Sequence, residues 1–574
     1  MNIKQYLPGL NWITGYRSSW LSGDISAGLT VGVMLIPQGM AYAMIAGLPP
    51  IYGLYASTLP LLIYAFFGTS RQLAVGPVAM VSLLTAAGIG VLAETGTATY
   101  IALAVTLAFM VGAIQFLLGV FRLGFLVNFL SHPVISGFTS AAALIIGLSQ
   151  LKHLLGVKIE RSHHVHEILL SALQQVGAIH WATFAIGLGG IALILLVKRV
   201  NKAIPGPLLA VIFGILAVWG LGLADGGVKI VGEVPQGLPS FQLPGLNLDT
   251  LQILLPTALA ISLVSFMESI AVAKAIQAKH KNYQVIPNQE LIGLGLANLG
   301  GSLLQAYPVT GGFSRTAVND QAGAKTGLAA IISAALIVLT LLFLTPLFYY
   351  LPNAILASVI MVAVFGLIDI KEPVHLWKAN RTDFWMLIVT FVATLALGIE
   401  QGIGIVVVLS LAMVVFKTTR PHIAQLGKVP GTHFYRNVER FPEVEERPDL
   451  LVLRFDAQLY FANINFFKEQ VIERADRRGN QLQAVIINAE SINNLDSSAV
   501  HGLAEVLEEL NNRKVQLILT GVKGPVRDAL AKGHLLEKMG EDQFFMSVQE
   551  AVDDFDDRAG ALQNADNYTM QANI

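Results

Sequence analysis

The sequence predicts an α-helical polytopic membrane protein of fourteen segments, arranged as two inverted repeats of seven, with a C-terminal α/β domain on the cytoplasmic side. Three observations predict it. Of 574 residues, 54% are hydrophobic and 13% charged, with a mean hydropathy of +0.62, too apolar for a chain bathed in water on every side. The formal charge of −1 is unevenly divided: up to Arg420 there are 21 Lys and Arg against 14 Asp and Glu, a balance of +7, and beyond it 16 against 24, a balance of −8. The long apolar runs also stop near Arg420 and give way to strand and helix periodicities. Neither half suggests a nucleic-acid partner. The absence of cysteine excludes disulfides, thiolate metal sites and cysteine nucleophiles.

A spanning helix needs about 17 to 25 apolar residues. Residues 1–23 form a polar-aromatic lead, read as a cytoplasmic N-terminus before a retained helix and not as a cleaved signal. Seven candidate spans follow near 24–45, 51–68, 74–93, 98–120, 133–151, 180–198 and 206–223. After a loop containing Gly237, Pro239 and Pro244 come seven more, near 251–275, 288–305, 312–324, 327–348, 353–369, 383–399 and 401–417. The segment from Gly312 is too polar for a hydropathy filter; it is counted because omitting it would scatter the basic loops over both faces. Alternate loops plus the termini then collect sixteen basic residues, and the opposite face only Lys152, Lys158, Arg161 and Lys229. That bias places both ends in the cytoplasm. Trp181 and Trp385, near span starts, read as interfacial anchors.

An odd number of spans per half forces the halves, about 24–223 and 251–417, into opposite orientations. Gln38–Ala43 (QGMAYA) and Glu268–Ala273 (ESIAVA) sit at equivalent depth in the first span of each half, with two of six positions identical.

Spans three and ten open on helix-breaking sequence, Ala74-Val75-Gly76-Pro77-Val78 and Pro308-Val309-Thr310-Gly311-Gly312-Phe313-Ser314-Arg315. Interrupted segments at matching places in two halves point to broken helices meeting at the bilayer midplane. Two facing helix N-termini concentrate free N–H groups and about half a positive charge each, which makes an anion site. Arg315 is the one clearly intramembrane arginine, next to a hydroxyl that can donate to an oxyanion; an arginine snorkelling from a helix end is the structural alternative. Glu268, a carboxylate well inside an apolar run, repels an anion when ionised and tolerates one when protonated, so it reads as a proton-coupling residue. A permanent ion pair with Arg315 or Lys274 is the alternative. Importing a dianion against about 100 mV costs about 4.6 kcal/mol, which calls for a coupling cation.

These residues resemble the sulfate permease (SulP) family of anion transporters. Pro50–Arg71 (PIYGLYASTLPLLIYAFFGTSR), Pro308–Thr326 (PVTGGFSRTAVNDQAGAKT) and Pro37–Ala43 (PQGMAYA) carry the resemblance, which extends over essentially the whole chain. It implies a core domain of spans 1–4 and 8–11 moving against a gate domain of spans 5–7 and 12–14, an elevator-like cycle, and a homodimer. It also implies an anion site of Gln38, Tyr42, Gly76, Pro77, Val78, Glu268, Ser314 and Arg315, with Gly312 and Phe313 at the second helix start. Members with a carboxylate at the Glu268 position tend to be coupled transporters.

Beyond Pro430 strands alternate with amphipathic helices: Leu450–Phe455, a helix near 466–478, Ala484–Ile487, a helix over Ser497–Leu510, and Val515–Leu519. The order resembles a STAS domain, taken as 433–557, with Asn494-Leu495-Asp496-Ser497-Ser498 at the loop where related proteins are phosphorylated. Ser497 is thus a candidate phosphorylation site, with a cytoplasmic protein as a candidate partner of the STAS domain, although Asp496 as a helix N-cap suffices to explain the loop. Residues 558–574 read as a disordered tail. His163, His164 and His166 form an HHxH cluster without the further ligands a metal site needs.

The sequence therefore predicts an inner (plasma) membrane importer of an inorganic oxyanion, sulfate favoured, coupled to protons, without metal or cofactor. The alternatives are sodium-coupled bicarbonate uptake and an uncoupled anion channel or exchanger. A nucleobase transporter would share the architecture but lack the STAS domain. With no metal-ligand set, nucleophile triad or P-loop in view, an enzyme is not predicted.

Overall fold

The computed structural model of the chain describes residues 7–125, 132–159, 165–200, 205–280, 283–366 and 368–558. Two compact units result, Met1–Leu411 and Ala412–Ile574.

In the first unit, fourteen helical segments fall where the sequence places spans, counted among the described residues. They are α1 (Leu21–Ile45), α2 (Leu59–Phe67, led by a short helix Ile51–Tyr55), α3 (Ala79–Gly90), α4 (Ala98–Val120), α5 (His132–Ser149), α6 (Trp181–Val200) and α7 (Gly206–Gly220). The second half supplies α8 (Leu248–His280), α9 (Pro287–Ser302), α10 (Phe313–Gln321), α11 (Leu328–Leu339), α12 (Asn353–Phe365), α13 (Arg381–Leu397) and α14 (Ile399–Thr419), within which the unit boundary falls. Six helices among the described residues are long and apolar enough to cross a bilayer on length and composition alone. The span expected at 251–275 runs on to His280, where His280 and Lys279 both meet Asp320 of α10, the latter at 3.5 Å.

Two of the short segments, α10 and α3, depart from the expectation of continuous spans. The span read at 312–324 is a helix of only nine residues, and α3 has twelve; at about 1.5 Å per residue neither approaches the roughly 30 Å of a hydrocarbon core. Each is preceded by extended chain. Strand β1 (Val75–Gly76) precedes α3 and β2 (Thr310–Gly311) precedes α10, and the two strands pair antiparallel with Val75 opposite Gly311 and Gly76 opposite Thr310. Backbone groups that would otherwise be unsatisfied away from water are thereby paired between the halves.

Trp181 and Trp385 stand out from their helices, 71% and 57% exposed. His163 and His164 lie outside the described residues, as does the tail from 559 onward, and among the described residues no His, Cys, Asp or Glu group is arranged to hold a metal.

The second unit is an α/β sandwich. Its sheet has the order β4-β3-β5-β6-β7-β8, built from β3 (Ile423–Lys428), β4 (Tyr435–Asn437), β5 (Leu450–Phe455), β6 (Ala484–Asn488), β7 (Gln516–Thr520) and β8 (Phe544–Phe545). Strands β5 to β8 run parallel and β3 pairs antiparallel with β4 and β5. Central strands read as unbroken apolar runs because both faces are covered. One face packs α15 (Ile464–Arg478) and α16 (Ser497–Asn512) around Phe455, Phe467 and Leu510, and the other packs Val548, Ala551, Val552 and Phe555 from the helix over 548–558. The sheet starts ten residues before the expected boundary at 433: IAQLGK, broken by polar residues and glycine, gives little strand signal and is held by its neighbours.

Candidate anion site

The site grows from the ladder between β1 and β2. Because the strands are antiparallel, the helices that follow depart in opposite directions from one place, and both start without a side-chain cap, α3 after Val78 and α10 after Gly312. In this they resemble α1, α2, α7, α9, α11 and α12, while α4 is capped by Thr97 and α13 by Asn380. The first N–H groups of α3 and α10 are thus left without the side-chain acceptor that usually covers them.

Arg315, in the first turn of α10, is 2% exposed and turns back across the ladder, donating from Nη1 to the Pro77 carbonyl at 2.6 Å. Its Nε and Nη2 have no partner in the fold. The Glu268 Oε2 and Gln38 Oε1 atoms are likewise buried and unpartnered. No ion pair joins Glu268 to Arg315 or Lys274 among the described residues, and Lys274 is exposed. Buried polar groups without partners are rare and destabilising, so four such atoms around one space mark a place made for a ligand.

That space is a cavity of about 440 Å³ walled on one side by Gln38, Tyr42, Val78, Glu268, Gly312, Phe313, Ser314 and Arg315. Residues of α6, α7 and α12 line it as well, Lys198, Pro207 and Val359 among them. Gly76 and Pro77, expected in the site, are not among the residues that line it; the Pro77 carbonyl anchors Arg315. Gly76 holds φ at +153°, and a Cβ there would meet Arg315 Nη2 at 3.5 Å. Phe313 is 60% exposed and Ser314 is open to the cavity.

Sequence reading missed the scaffold behind β2. Asn298 of α9 pairs with Val309 as a strand would, accepting from its N–H at 2.8 Å and donating to its carbonyl at 3.1 Å. The Ser269 hydroxyl accepts from Gly311 N–H at 2.8 Å and shares a 2.7 Å bond with Thr310, whose hydroxyl also reaches the Ser265 carbonyl at 2.7 Å. One serine stripe, Ser262, Ser265 and Ser269 on the buried face of α8, was the available signal. In the second unit Asp496 caps α16, accepting from Ala499 N–H at 2.8 Å, while Ser497 lies exposed in the first turn.

A multi-pass bundle whose two halves offer uncapped helix ends and a half-paired guanidinium to one cavity defines a membrane transporter for an anion. Residues 21–390 match the model of the sulfate permease family and 441–551 that of the STAS domain. The chain belongs to the sulfate permease family. Among its relatives, "Sulfate transporter 4.1, chloroplastic" of Arabidopsis thaliana is 41% identical over 570 residues, 96% of this chain and 82% of that protein. "Probable sulfate transporter MT1781" of Mycobacterium tuberculosis (strain CDC 1551 / Oshkosh) is 35% identical over 97% of this chain and 99% of its own length. The murine Slc26a9 anion transporter in the inward-facing state has a similar structure, with a TM-score of 0.88 and 26% identity over 96% of this chain and 94% of that one.

Proposed function

We propose that the chain imports sulfate together with protons, by an elevator-like motion of the α1–α4 and α8–α11 group against the remaining spans. The observation that carries the reading is the set of unpartnered atoms on the cavity wall, two guanidinium nitrogens of Arg315 and one oxygen each of Glu268 and Gln38. An oxyanion entering here exchanges its water for the Arg315 donors, the Ser314 hydroxyl and the N–H groups at the starts of α3 and α10. The printed names of the relatives favour sulfate among oxyanions.

Glu268 supplies the coupling. Ionised, it balances the Arg315 charge in an empty cavity and repels an anion; protonated, it leaves the guanidinium to the substrate. Binding of proton and anion therefore favour one another, and the linkage is reciprocal. The neutralised carboxyl also removes about 2.3 kcal/mol per 100 mV from the work of moving a dianion inward. Within the same reading the protein sits in the plasma membrane with both termini in the cytoplasm, forms a homodimer, and offers the exposed Ser497 to a kinase.

The test is uptake of labelled sulfate or bicarbonate by purified protein in liposomes under an imposed pH or sodium gradient. Sulfate uptake driven by an inward proton gradient and indifferent to sodium is the expected outcome; uptake that follows sodium and prefers bicarbonate overturns it. Glu268→Gln, which fixes the neutral form, is expected to retain exchange of sulfate for sulfate while losing acceleration by external acid. Uptake in that variant that still follows external pH assigns the proton to another group.

A further inference from the structure

Two carboxylates outside the cavity share one unusual geometry. Glu290, in the first turn of α9, is fully buried. Its Oε1 accepts from Thr69 N–H at 2.6 Å, the Thr69 hydroxyl at 2.5 Å and Ser70 N–H at 3.1 Å, and its Oε2 from the Tyr64 hydroxyl at 2.6 Å. Asp24, in the first turn of α1, is equally buried. Its Oδ1 accepts from Lys325 N–H at 2.7 Å and Thr326 N–H at 3.0 Å, and its Oδ2 from the Thr326 hydroxyl at 2.7 Å and the Tyr16 hydroxyl at 3.2 Å. Each carboxylate thus grips two consecutive backbone N–H groups, a threonine hydroxyl and a tyrosine hydroxyl. A buried charge persists where its lone pairs are filled in this way.

The grip is exchanged between the halves. Glu290 belongs to the second repeat and holds residues 69–70 of the first, in the loop that runs into β1 and α3. Asp24 belongs to the first repeat and holds residues 325–326 of the second, in the loop that leaves α10. Beside each carboxylate the backbones approach closely: a Cβ on Gly23 would lie 2.4 Å from the Gly323 carbonyl oxygen, a distance only glycine allows, and one on Gly293 would lie a tight 3.0 Å from the Gly68 nitrogen. The two loops are also bonded together, Gln72 Nε2 donating to the Ala324 carbonyl at 3.0 Å. From there the connection runs along α10 to the cavity. Asn319 Nδ2 donates to the Gln72 carbonyl at 2.9 Å, Ala74 N–H to the Thr316 hydroxyl at 3.0 Å and Gly312 N–H to the Ala74 carbonyl at 3.0 Å.

We propose that Asp24 and Glu290 are positioning residues for anion binding: each, from one repeat, clamps the loop attached to the short helix of the other, and together they set the spacing of the two helix starts at the cavity. Neither touches the cavity. Their effect passes through the backbone of residues 69–76 and 312–326, where a small displacement moves N–H groups and the Arg315 fork relative to one another.

The proposal rests on the cavity being the anion site, so the experiment carries a control for that reading. Full-length protein in liposomes is assayed for uptake of labelled sulfate, or labelled bicarbonate if that is the anion taken up, with KM and maximal rate measured separately. Thr69→Val and Thr326→Val keep the fold's volume and each remove one hydroxyl from a clamp, together with the bond that hydroxyl accepts from Ile286 N–H at 3.1 Å or Leu328 N–H at 3.2 Å. Each is expected to raise KM about five- to tenfold, the size of one lost hydrogen bond to a charged group partly transmitted to the site. Thr69→Ser and Thr326→Ser restore the hydroxyl and are expected to return KM to the wild-type value. Glu290→Gln and Asp24→Asn are expected to exceed the valine effects wherever they fold. Valine variants whose KM stays at the wild-type value, with only yield or maximal rate reduced, overturn the proposal, as does a failure of serine to restore KM. If Arg315→Ala raises KM while the clamp variants do not, the clamps alone are wrong; if Arg315→Ala also leaves KM unchanged, the cavity is not the anion site.

Discussion

The two short helices α3 and α10 begin on the same two-residue ladder, yet they bring different things to it. Before α3 stand Val75, Gly76, Pro77 and Val78, of which only Val78 reaches the cavity, so that this start offers it backbone dipole and apolar surface; around the start of α10 stand Gly312, Phe313, Ser314 and Arg315. Side chains of α10 also reach across: Arg315 of the second half fastens to the Pro77 carbonyl of the first, beside the bonds of Thr316 to Ala74 and of Asn319 to Gln72. The repeat supplies matched backbone, which is what opposed helix ends require, while side-chain chemistry is concentrated in one copy and anchored on the other. A second guanidinium in the mirror position would have to be desolvated beside the first, at a cost that a single arginine avoids.

The sharpest way to break this comparison is Arg315→Ala. It removes the donors left for an anion and strands the Pro77 carbonyl, so anion affinity is expected to fall about a hundredfold, the scale of a lost charged hydrogen-bonding pair. Arg315→Lys keeps the charge without the planar fork and should fall between the two. Binding of labelled sulfate to purified protein checks both, and wild-type affinity in Arg315→Ala would mean that the helix ends suffice.

Next in size come the glycines. Gly312→Ala places a Cβ 2.9 Å from Arg315 Nη2 and 3.0 Å from its Cζ, so the guanidinium must shift. Gly76→Ala leaves 3.5 Å to the same Nη2 but forces a side chain onto φ +153°. Backbone strain of that kind costs about 1–3 kcal/mol. The expected split is a lower affinity with little change in melting temperature for Gly312→Ala, and a lower melting temperature as the main effect for Gly76→Ala. Calorimetry and sulfate binding on both variants measure it, and identical profiles would show that the halves are more alike than their sequences.

Much of this was legible in the sequence, for identifiable reasons. Gly76-Pro77 and Gly311-Gly312 announce broken helices because they fall at matching places in the two halves, whereas the lone Pro37 and Pro256 are carried inside continuous helices, and Arg315 stands out because hydrocarbon makes intramembrane charge rare. In the tail, β5, α15, β6, α16 and β7 follow from hydrophobic periods, which are local. What stayed hidden is non-local. Asp24 finds its partners at 325–326 and Glu290 at 69–70, more than 200 residues away in each case. Each sits in the first turn of a helix, where an acidic residue already has an ordinary explanation. Asn298 imitates a strand partner for Val309, a role that only assembled chain can reveal. Gly76 and Pro77 entered the expected site through the family resemblance, which marks the helix start as a whole; which of its residues reaches the cavity depends on where Arg315 folds back.

The smallest expected effect tests how far the chemistry of α10 extends beyond its arginine. Ser314 lies exposed on the cavity wall, so before an anion arrives its hydroxyl is bonded to water, and binding exchanges one hydrogen bond for another. The net worth of such an exchange is about 0.5–1.5 kcal/mol, so Ser314→Ala should weaken sulfate binding by about two- to tenfold. Because alanine keeps the N–H group and favours the helix, the backbone half of the site stays intact and the loss should appear in affinity without a change in melting temperature. A measured affinity equal to wild type would leave Arg315 as the sole difference between the two helix starts, and would make α10 a copy of α3 with one charged residue added.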